Sequence, residues 1–490
     1  MGPRVVLGRL VVACVALIVA FGLLGSRGIW DPDEGRYTNV ALNMLDSGDL
    51  INPQRNDDMG HWTKPPLTYW AIAASIELFG RNAWAARLPI VLAYLLSVAL
   101  TWQLARRLAP GAEAVAALAF ATMLLPALAS QLITTDFLLA AFEALAVAAY
   151  VEGRFGSSET QFRWWLATGA AFGLAFLTKG PPALLPLIAV LIFEWLVRSR
   201  MPHRRPLFAA AVAFLVVAVP WYAMVSARHP GLLRYFLGAE VVGRVASDQF
   251  GRNGEWYGWA VVYVPTLLVG ALPWTAAMLR WVRTLPTKAR RWRVESERLA
   301  DAEELMLALW VLVPLMVFCV SRSRLPLYLL PLFVPIAVLI ARQWQSDRRA
   351  FPSLWWTVVI VTGLTGLRVA MILWPTPQNA AEWAAEIRKR SPGPVTEVVF
   401  INDMARYGLK LHLDAEVERV SMASVTEAGF NPLFDDTLAE ELSEAEPGVV
   451  YVAQEKHWPA LERGINVLGY QNVQLGEPYR GRVFFTVAVP

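Results

Sequence analysis

The sequence predicts a multi-pass α-helical membrane protein that ends in a small soluble α/β domain. Three observations carry this expectation. Hydrophobic residues make up 56% of the 490 and charged residues 17%, whereas a soluble domain carries about 25% charge. Apolar stretches of about twenty residues, long enough to cross a bilayer, recur as far as Trp374. Beyond it, short β-type runs alternate with helix-like ones. This composition, with a mean hydropathy of +0.41, excludes a disordered chain and argues against an ordinary cytosolic enzyme.

The spans follow in order. About eleven apolar segments are long enough to cross, near 5–25, 84–105, 112–129, 132–151, 163–178, 182–197, 206–226, 257–279, 304–321, 325–342 and 354–374. The short apolar segment 65–80 reads as a juxtamembrane helix or a partial span, so the expected total is about 11–13 helices. Val5 to Leu24 is read as a first span. Ser26-Arg27-Gly28 after it makes a poor signal-peptide cleavage site. Cys14 and Cys319 both lie in apolar stretches and read as small buried hydrophobes rather than a disulfide or a metal pair.

Basic residues orient the chain. With the N-terminus in the cytoplasm, the inner loops hold Arg106-Arg107, Arg154, Arg163, Arg198, Arg200, Arg204, Arg205, the run Arg280 to Arg298, Arg342, Arg348 and Arg349. That excess places the odd loops outside. Residues 1–375 then form the membrane region, with a first outer loop at 26–64. Residues 376–490 form an extracytoplasmic α/β domain. Its strand-like runs are Val395–Ile401, Val449–Ala453 and Val483–Val489. Its helix-like runs are Ala380–Arg390, Thr437–Glu446 and Trp458–Leu468.

The first outer loop is too long and too patterned for a simple connector. Trp30-Asp31-Pro32-Asp33-Glu34-Gly35-Arg36-Tyr37 sets three carboxylates beside a guanidinium and a phenol. Tyr37, Val40, Ala41, Met44 and Leu45 then share one helical face, which predicts an amphipathic helix along the membrane surface, ended by Ser47-Gly48-Asp49. The acidic cluster also fits a solvated loop or an N-cap by Asp33. Lys64, before Pro65-Pro66, fits a snorkelling anchor as well as a site residue. Asp136 opens an apolar helix, where it either caps the helix or serves function. Glu143 lies about 10 Å deeper on the same face and reads as structural. Lys179 stands alone before Gly180-Pro181-Pro182. Arg244 follows Glu240 by four residues, so a surface pair competes with anion binding. Arg324 and Tyr328 fall on the outer side too. Asp33, Lys64, Asp136, Lys179, Arg244, Arg324 and Tyr328 thus share one face, reached from separate loops. Such a set suits an anionic lipid head group held beside a carboxylate. No His or Cys group has metal-ligand spacing.

Several strings resemble the GT-C class of transferases, of the aminoarabinose and dolichyl-phosphate-mannose types. They are Asp33-Glu34-Gly35-Arg36-Tyr37, Lys64-Pro65-Pro66-Leu67-Thr68-Tyr69-Trp70 and Leu78-Phe79-Gly80-Arg81-Asn82-Ala83-Trp84-Ala85-Ala86-Arg87-Leu88-Pro89. Asp136, Leu177-Thr178-Lys179-Gly180, Gly270-Ala271-Leu272-Pro273-Trp274 and Leu325-Pro326-Leu327-Tyr328-Leu329-Leu330-Pro331 extend the resemblance over residues 25–345. It implies an inverting glycosyltransferase of the bacterial cytoplasmic membrane that works on the outer, periplasmic face. The donor would be a sugar on a polyprenyl phosphate such as undecaprenyl phosphate. The acceptor would be lipid A, another envelope glycolipid or glycan, or protein, with membrane lipids as partners and no nucleic acid. Asp33 would be the main catalytic carboxylate and Asp136 its support. Lys64, Arg36, Tyr37, Lys179, Arg244 and Tyr328 would bind donor phosphate or substrate. The family's metal-ligand positions carry Thr63 and Val241 here, which puts a divalent metal and an aminoarabinose donor in doubt. A polytopic transporter or lipid flippase is the alternative. It would place its charges near the midplane and show internal repeats, and neither is seen. A silent membrane scaffold would tolerate Asp33→Ala and Lys64→Ala.

Overall fold

The computed structural model describes residues 3–57, 59–156, 160–197, 204–243, 253–423, 429–444 and 446–488. The chain divides into two compact units, Met1–Leu24 with Pro89–Met371, and Gly25–Leu88 with Ile372–Pro490.

In the first unit every expected span is helical. Ala83–Leu108, Arg205–Arg228, Ala302–Val320, Pro326–Ser346 and Leu354–Leu373 are each long and apolar enough to cross a membrane unaided. Two expected single spans are broken. Segment 112–129 is Glu113–Thr122 followed by Leu124–Ala129, and segment 257–279 is Gly258–Gly270 followed by Thr275–Arg291. The breaks satisfy each other: the Leu124 N–H donates to the Leu272 carbonyl at 2.9 Å, and the Trp274 indole donates to the Thr122 hydroxyl at 2.9 Å. Backbone polar groups freed inside a bilayer need such partners. Apolar length alone did not reveal the interruptions, because Pro126 and Pro273 punctuate stretches that stay apolar throughout.

Close packing here depends on missing side chains. A Cβ at Gly169 would fall 1.9 Å from the Ala210 carbonyl oxygen, and one at Gly173 would fall 2.7 Å from Val217. These two glycines, four residues apart, let Gln161–Lys179 lie directly against Arg204–Arg228. Arg368 is buried in Leu354–Leu373. It donates to the carbonyls of Val19 and Ala127, to the Gly22 carbonyl at 3.2 Å and to the Ser130 hydroxyl at 2.8 Å. Its charge thereby serves the carboxyl ends of two helices. Cys14 is exposed at the surface of the chain rather than buried. In a membrane span that exposure faces lipid.

The second unit is built on a six-stranded sheet. Its strands are β1 (Glu397–Ile401), β2 (Glu416–Ser421), β3 (Asp436–Thr437), β4 (Val449–Gln454), β5 (Gln471–Gln474) and β6 (Arg482–Ala488), in the order β3-β2-β1-β4-β6-β5. The first four run parallel, and β6 pairs antiparallel with β4 and with β5. Both faces are covered. Val398, Phe400, Val450 and Val452 point toward Trp383 and Ile387, while Val399, Ile401 and Tyr451 point toward Leu438, Leu461 and Ile465. Such two-sided burial explains the continuous apolar runs of β1 and β4. β2, with Glu416, Glu418 and Arg419, hid from a hydrophobicity reading.

Residues 25–88 pack on this α/β body. The expected amphipathic helix is Asp33–Ser47, ended by Gly48 at φ 69°, a left-handed conformation that favours glycine. It does not lie with one face to a membrane surface. Residues around its whole circumference are buried, from Glu34 to Met44. The polar face is covered because Asn39 and Asn43 hold the Arg55 carbonyl, at 2.6 and 2.8 Å. Nor does Asp33 cap the helix. The cap position is Pro32, and no side chain bonds there.

Candidate active site

Three carboxylates crowd the start of the Asp33–Ser47 helix, and the structure gives them different fates. Glu34 is buried and gripped from both sides. Arg27 donates at 2.6 and 3.0 Å, Arg87 at 2.9 and 3.2 Å, and the Trp30 N–H at 2.9 Å. Burial alone would raise its pKa, but the two guanidiniums hold it well below the carboxylate range. Asp31 is also buried. One oxygen accepts the Gly408 N–H at 3.0 Å, and the other has no hydrogen-bond partner among the described residues. Burial pushes its pKa up to about 7, against the Gly408 N–H and the charges of Arg406 and Arg36. Asp33 is different. Its side chain is 56% exposed, with Arg36 one helical turn on at 4.0 Å.

The other predicted residues of this unit gather around His61. Tyr37 is buried and stacks on Tyr69 with ring centroids 5.8 Å apart, and Tyr69 meets the His61 ring edge-on at 6.2 Å. Lys64 donates to the Thr63 carbonyl at 2.8 Å. Burial and the charges of Arg36, Arg55 and Lys64 depress the basicity of His61, so the ring is neutral at physiological pH. Its Nε2 meets the Thr63 hydroxyl at 2.7 Å, and its Nδ1 lacks a partner among the described residues. Arg36, Tyr37, Lys64 and His61 therefore form one cationic, aromatic group.

In the first unit, Lys179 forms an ion pair with Asp136, and its ammonium lies 4.4 Å from the centre of the Tyr328 ring. Thr134 caps the helix Thr135–Phe155 by accepting from the Asp136 N–H at 3.3 Å. This leaves the Asp136 carboxylate to Lys179. Glu143 is buried further along this helix and feels the charges of both. Arg324 is structural: its guanidinium donates to the carbonyls of Asn253, Glu255 and Cys319. Arg244 and the Val241 side chain lie outside the described residues.

Sequence reasoning missed Asp31, Arg55 and His61. Arg55 pairs with Asp435 and donates to the Pro432 carbonyl at 2.9 Å. Partners that far along the chain leave no local signal. It also missed Glu397, Glu418 and Glu441, whose carboxylates lie within 4.8 Å of one another. They come from β1, β2 and a helix, so their meeting is a product of strand order.

The family's metal-ligand positions are a hydroxyl and an isopropyl group here, and the Thr63 hydroxyl is already engaged by His61. This donor set does not suit a divalent ion.

Residues 63–223 match the family described as dolichyl-phosphate-mannose-protein mannosyltransferase. Over 334 residues the chain is 34% identical to the undecaprenyl phosphate-alpha-4-amino-4-deoxy-L-arabinose arabinosyl transferase of Pseudomonas aeruginosa (strain UCBPP-PA14), covering 66% of this chain and 58% of that protein. The chain spans less than two thirds of the length of the curated relatives it matches. Its fold is that of ArnT from Cupriavidus metallidurans, solved bound to undecaprenyl phosphate, with a TM-score of 0.76 and 21% identity over 97% of both chains. An Archaeoglobus fulgidus oligosaccharyltransferase shares the fold more distantly, with a TM-score of 0.56 and 13% identity over 91% of this chain and 68% of that one. The chain therefore has the multi-pass helical membrane fold of ArnT. Over about two thirds of its length it is similar in sequence to aminoarabinose arabinosyl transferases.

Proposed function

We propose that this chain is an inverting glycosyltransferase that moves a sugar from a polyprenyl monophosphate to an acceptor at the outer face of the cytoplasmic membrane. One observation carries the reading. Of the three carboxylates that open the first outer loop, Asp31 and Glu34 are sequestered, and Asp33 alone is presented, beside Arg36. Relationship to transferases named for an undecaprenyl phosphate-linked sugar supports the donor class.

The chemistry asks for few parts. The bond from the sugar C1 to the phosphate oxygen breaks, and its electron pair leaves with the lipid phosphate. The acceptor oxygen bonds C1 from the opposite face. Charge grows on the departing phosphate, so cations must meet it. Lys64 and Arg36 take that role, and Tyr37, Lys179, Arg244 and Tyr328 are assigned to binding of the donor phosphate or substrate. A hydroxyl acceptor gives its proton to Asp33. A phosphate acceptor is already ionised, and Asp33 then stabilises the cationic sugar. Asp136 supports the reaction while paired with Lys179. Residues 1–375 carry this chemistry, and 376–490 lie on the outer side.

Lipid and glycan mass spectrometry of cells with and without the protein tests the reading. Loss of the protein is expected to accumulate a polyprenyl-phosphate sugar and remove one envelope decoration, naming donor and acceptor together. Asp33→Asn and Lys64→Ala are expected to reproduce the loss. No accumulation, with uptake of a solute abolished, would replace the transferase by a transporter.

A further inference from the structure

Asp31 stands two residues before the proposed catalytic carboxylate, and the C-terminal α/β body holds it unusually tightly. Its N–H donates to the Gln378 carbonyl at 2.9 Å, and its carboxylate accepts from the Gly408 N–H at 3.0 Å. Just before it, the Ile29 carbonyl accepts from the Ala380 N–H at 2.9 Å and the Ile29 N–H donates to His412 Nε2 at 3.2 Å.

Three glycines make this approach possible. A Cβ on Gly35 would lie 1.8 Å from an Asp31 carboxylate oxygen and 2.5 Å from the Gly408 nitrogen. A Cβ on Gly28 would lie 2.2 Å from the Asn379 side chain, and one on Gly408 2.7 Å from Ala380. Gly35 is not needed for its backbone angles, because it sits inside the helix Asp33–Ser47, where alanine would be the better helix former. The space it leaves is filled by Asp31 and Gly408. The same loop carries Arg406, which is buried over the Trp383 ring at 4.0 Å. Its Nε and Nη1 lack partners among the described residues, and its charge acts on Asp31.

Gly408 and Arg406 lie in the loop that leaves the carboxyl end of β1, where the chain turns between the β1–β2 and β1–β4 pairings. That end of a parallel sheet is where α/β folds bind small ligands. Here the group received is a carboxylate of the chain's own first outer loop.

We propose that Asp31 is a positioning residue: by seating its carboxylate on the Gly408 N–H beside Arg406, it fixes the start of the Asp33–Ser47 helix and so sets where Asp33 and Arg36 stand during transfer. This rests on the reading of Asp33 as the catalytic carboxylate. A shift of about 1 Å in a reacting group costs up to about a hundredfold in rate, so a loosened seat is read in turnover before it is read in binding.

The test uses the full-length protein in membranes and donor lipid extracted from cells lacking it. Asp31→Ala is expected to lower kcat about tenfold or more with the donor KM within about twofold. Asp31→Asn keeps an acceptor for the Gly408 N–H and is expected to stay within about threefold of the parent. Gly35→Ala, which drives Asp31 and Gly408 apart, is expected to behave like Asp31→Ala. Unchanged kcat in Asp31→Ala and Gly35→Ala, or an equal fall in Asp31→Asn and Asp31→Ala, would overturn the proposal. So would a loss of activity fully matched by loss of folded protein. Asp33→Asn is assayed alongside. If it remains active, the reading of the site itself fails; if it is inactive while Asp31→Ala is normal, only this inference does.

Discussion

At the scale of single residues, neighbouring carboxylates on one turn have separate work. Glu34 pairs with two guanidiniums in a buried place. Removing its charge leaves Arg27 and Arg87 uncompensated, a change that costs about 3–5 kcal/mol when a buried pair loses one partner. Glu34→Gln is therefore expected to lower the thermal midpoint of the purified protein by several degrees. Asp33→Asn is expected to leave the midpoint within a degree or so, because an exposed side chain with one long contact contributes little. Scanning fluorimetry on the two variants separates these expectations. From the sequence, the acidic cluster was visible but not its division of labour. What sets Glu34 apart from Asp33 is Arg27, a few residues before it, together with Arg87, more than fifty residues on, and what sets Asp31 apart is Gly408, far beyond that. The lysine–aspartate contact between Lys179 and Asp136 was more nearly legible, since both residues are isolated charges at the ends of apolar runs, with few other partners to choose.

At the scale of elements, hydropathy marked the helices and missed their interruptions, as the two broken spans show. In the α/β body, apolar runs marked β1, β4 and β6. They failed for β2, whose half-buried positions carry charge, and for β5, which is a short edge strand. The charged strand has a consequence for stability. Glu397 on β1, Glu418 on β2 and Glu441 crowd together. Burial, then mutual repulsion, pushes Glu397 up to about 8 and Glu418 to about 9, while Glu441 is pushed to about 7 mainly by burial. A carboxyl whose folded pKa exceeds its unfolded value of 4.5 binds its proton more tightly when folded. Its contribution to stability is thus full below about pH 4.5 and is lost as pH rises toward 9. The full chain in detergent is expected to melt at a higher temperature at pH 6 than at pH 8.5, and Glu418→Gln is expected to flatten that difference. An equal slope in the variant would show that the cluster is not its source. Loop residues 55–57 share this neighbourhood: Asn56 donates to Glu418 at 2.6 Å, and the Asp57 N–H donates to Glu416 at 2.8 Å.

At the scale of the whole molecule, the charge asymmetry between alternate loops gives an expectation that labelling checks directly. After both native cysteines are replaced, a cysteine at Ser391 is expected to react with a membrane-impermeant maleimide in intact spheroplasts. One at Gly111, beside Arg106-Arg107, is expected to react only after permeabilisation. Labelling of both, or of neither, before permeabilisation would contradict the assigned sidedness. The partition of the chain was the least legible feature of all. Composition marks a border near residue 375 because the apolar runs stop there. It says nothing about residues 25–88, whose company is chosen by contacts such as Arg55 with Asp435 and Asp31 with Gly408. That discontinuity has a bearing on biosynthesis. The ribosome delivers residues 25–88 early, whereas Gly408 and Asp435, which receive the Asp31 carboxylate and the buried guanidinium of Arg55, are made much later. In the interval this early segment must wait unfinished, so a nascent chain halted before the final strands would leave the proposed catalytic helix without its support.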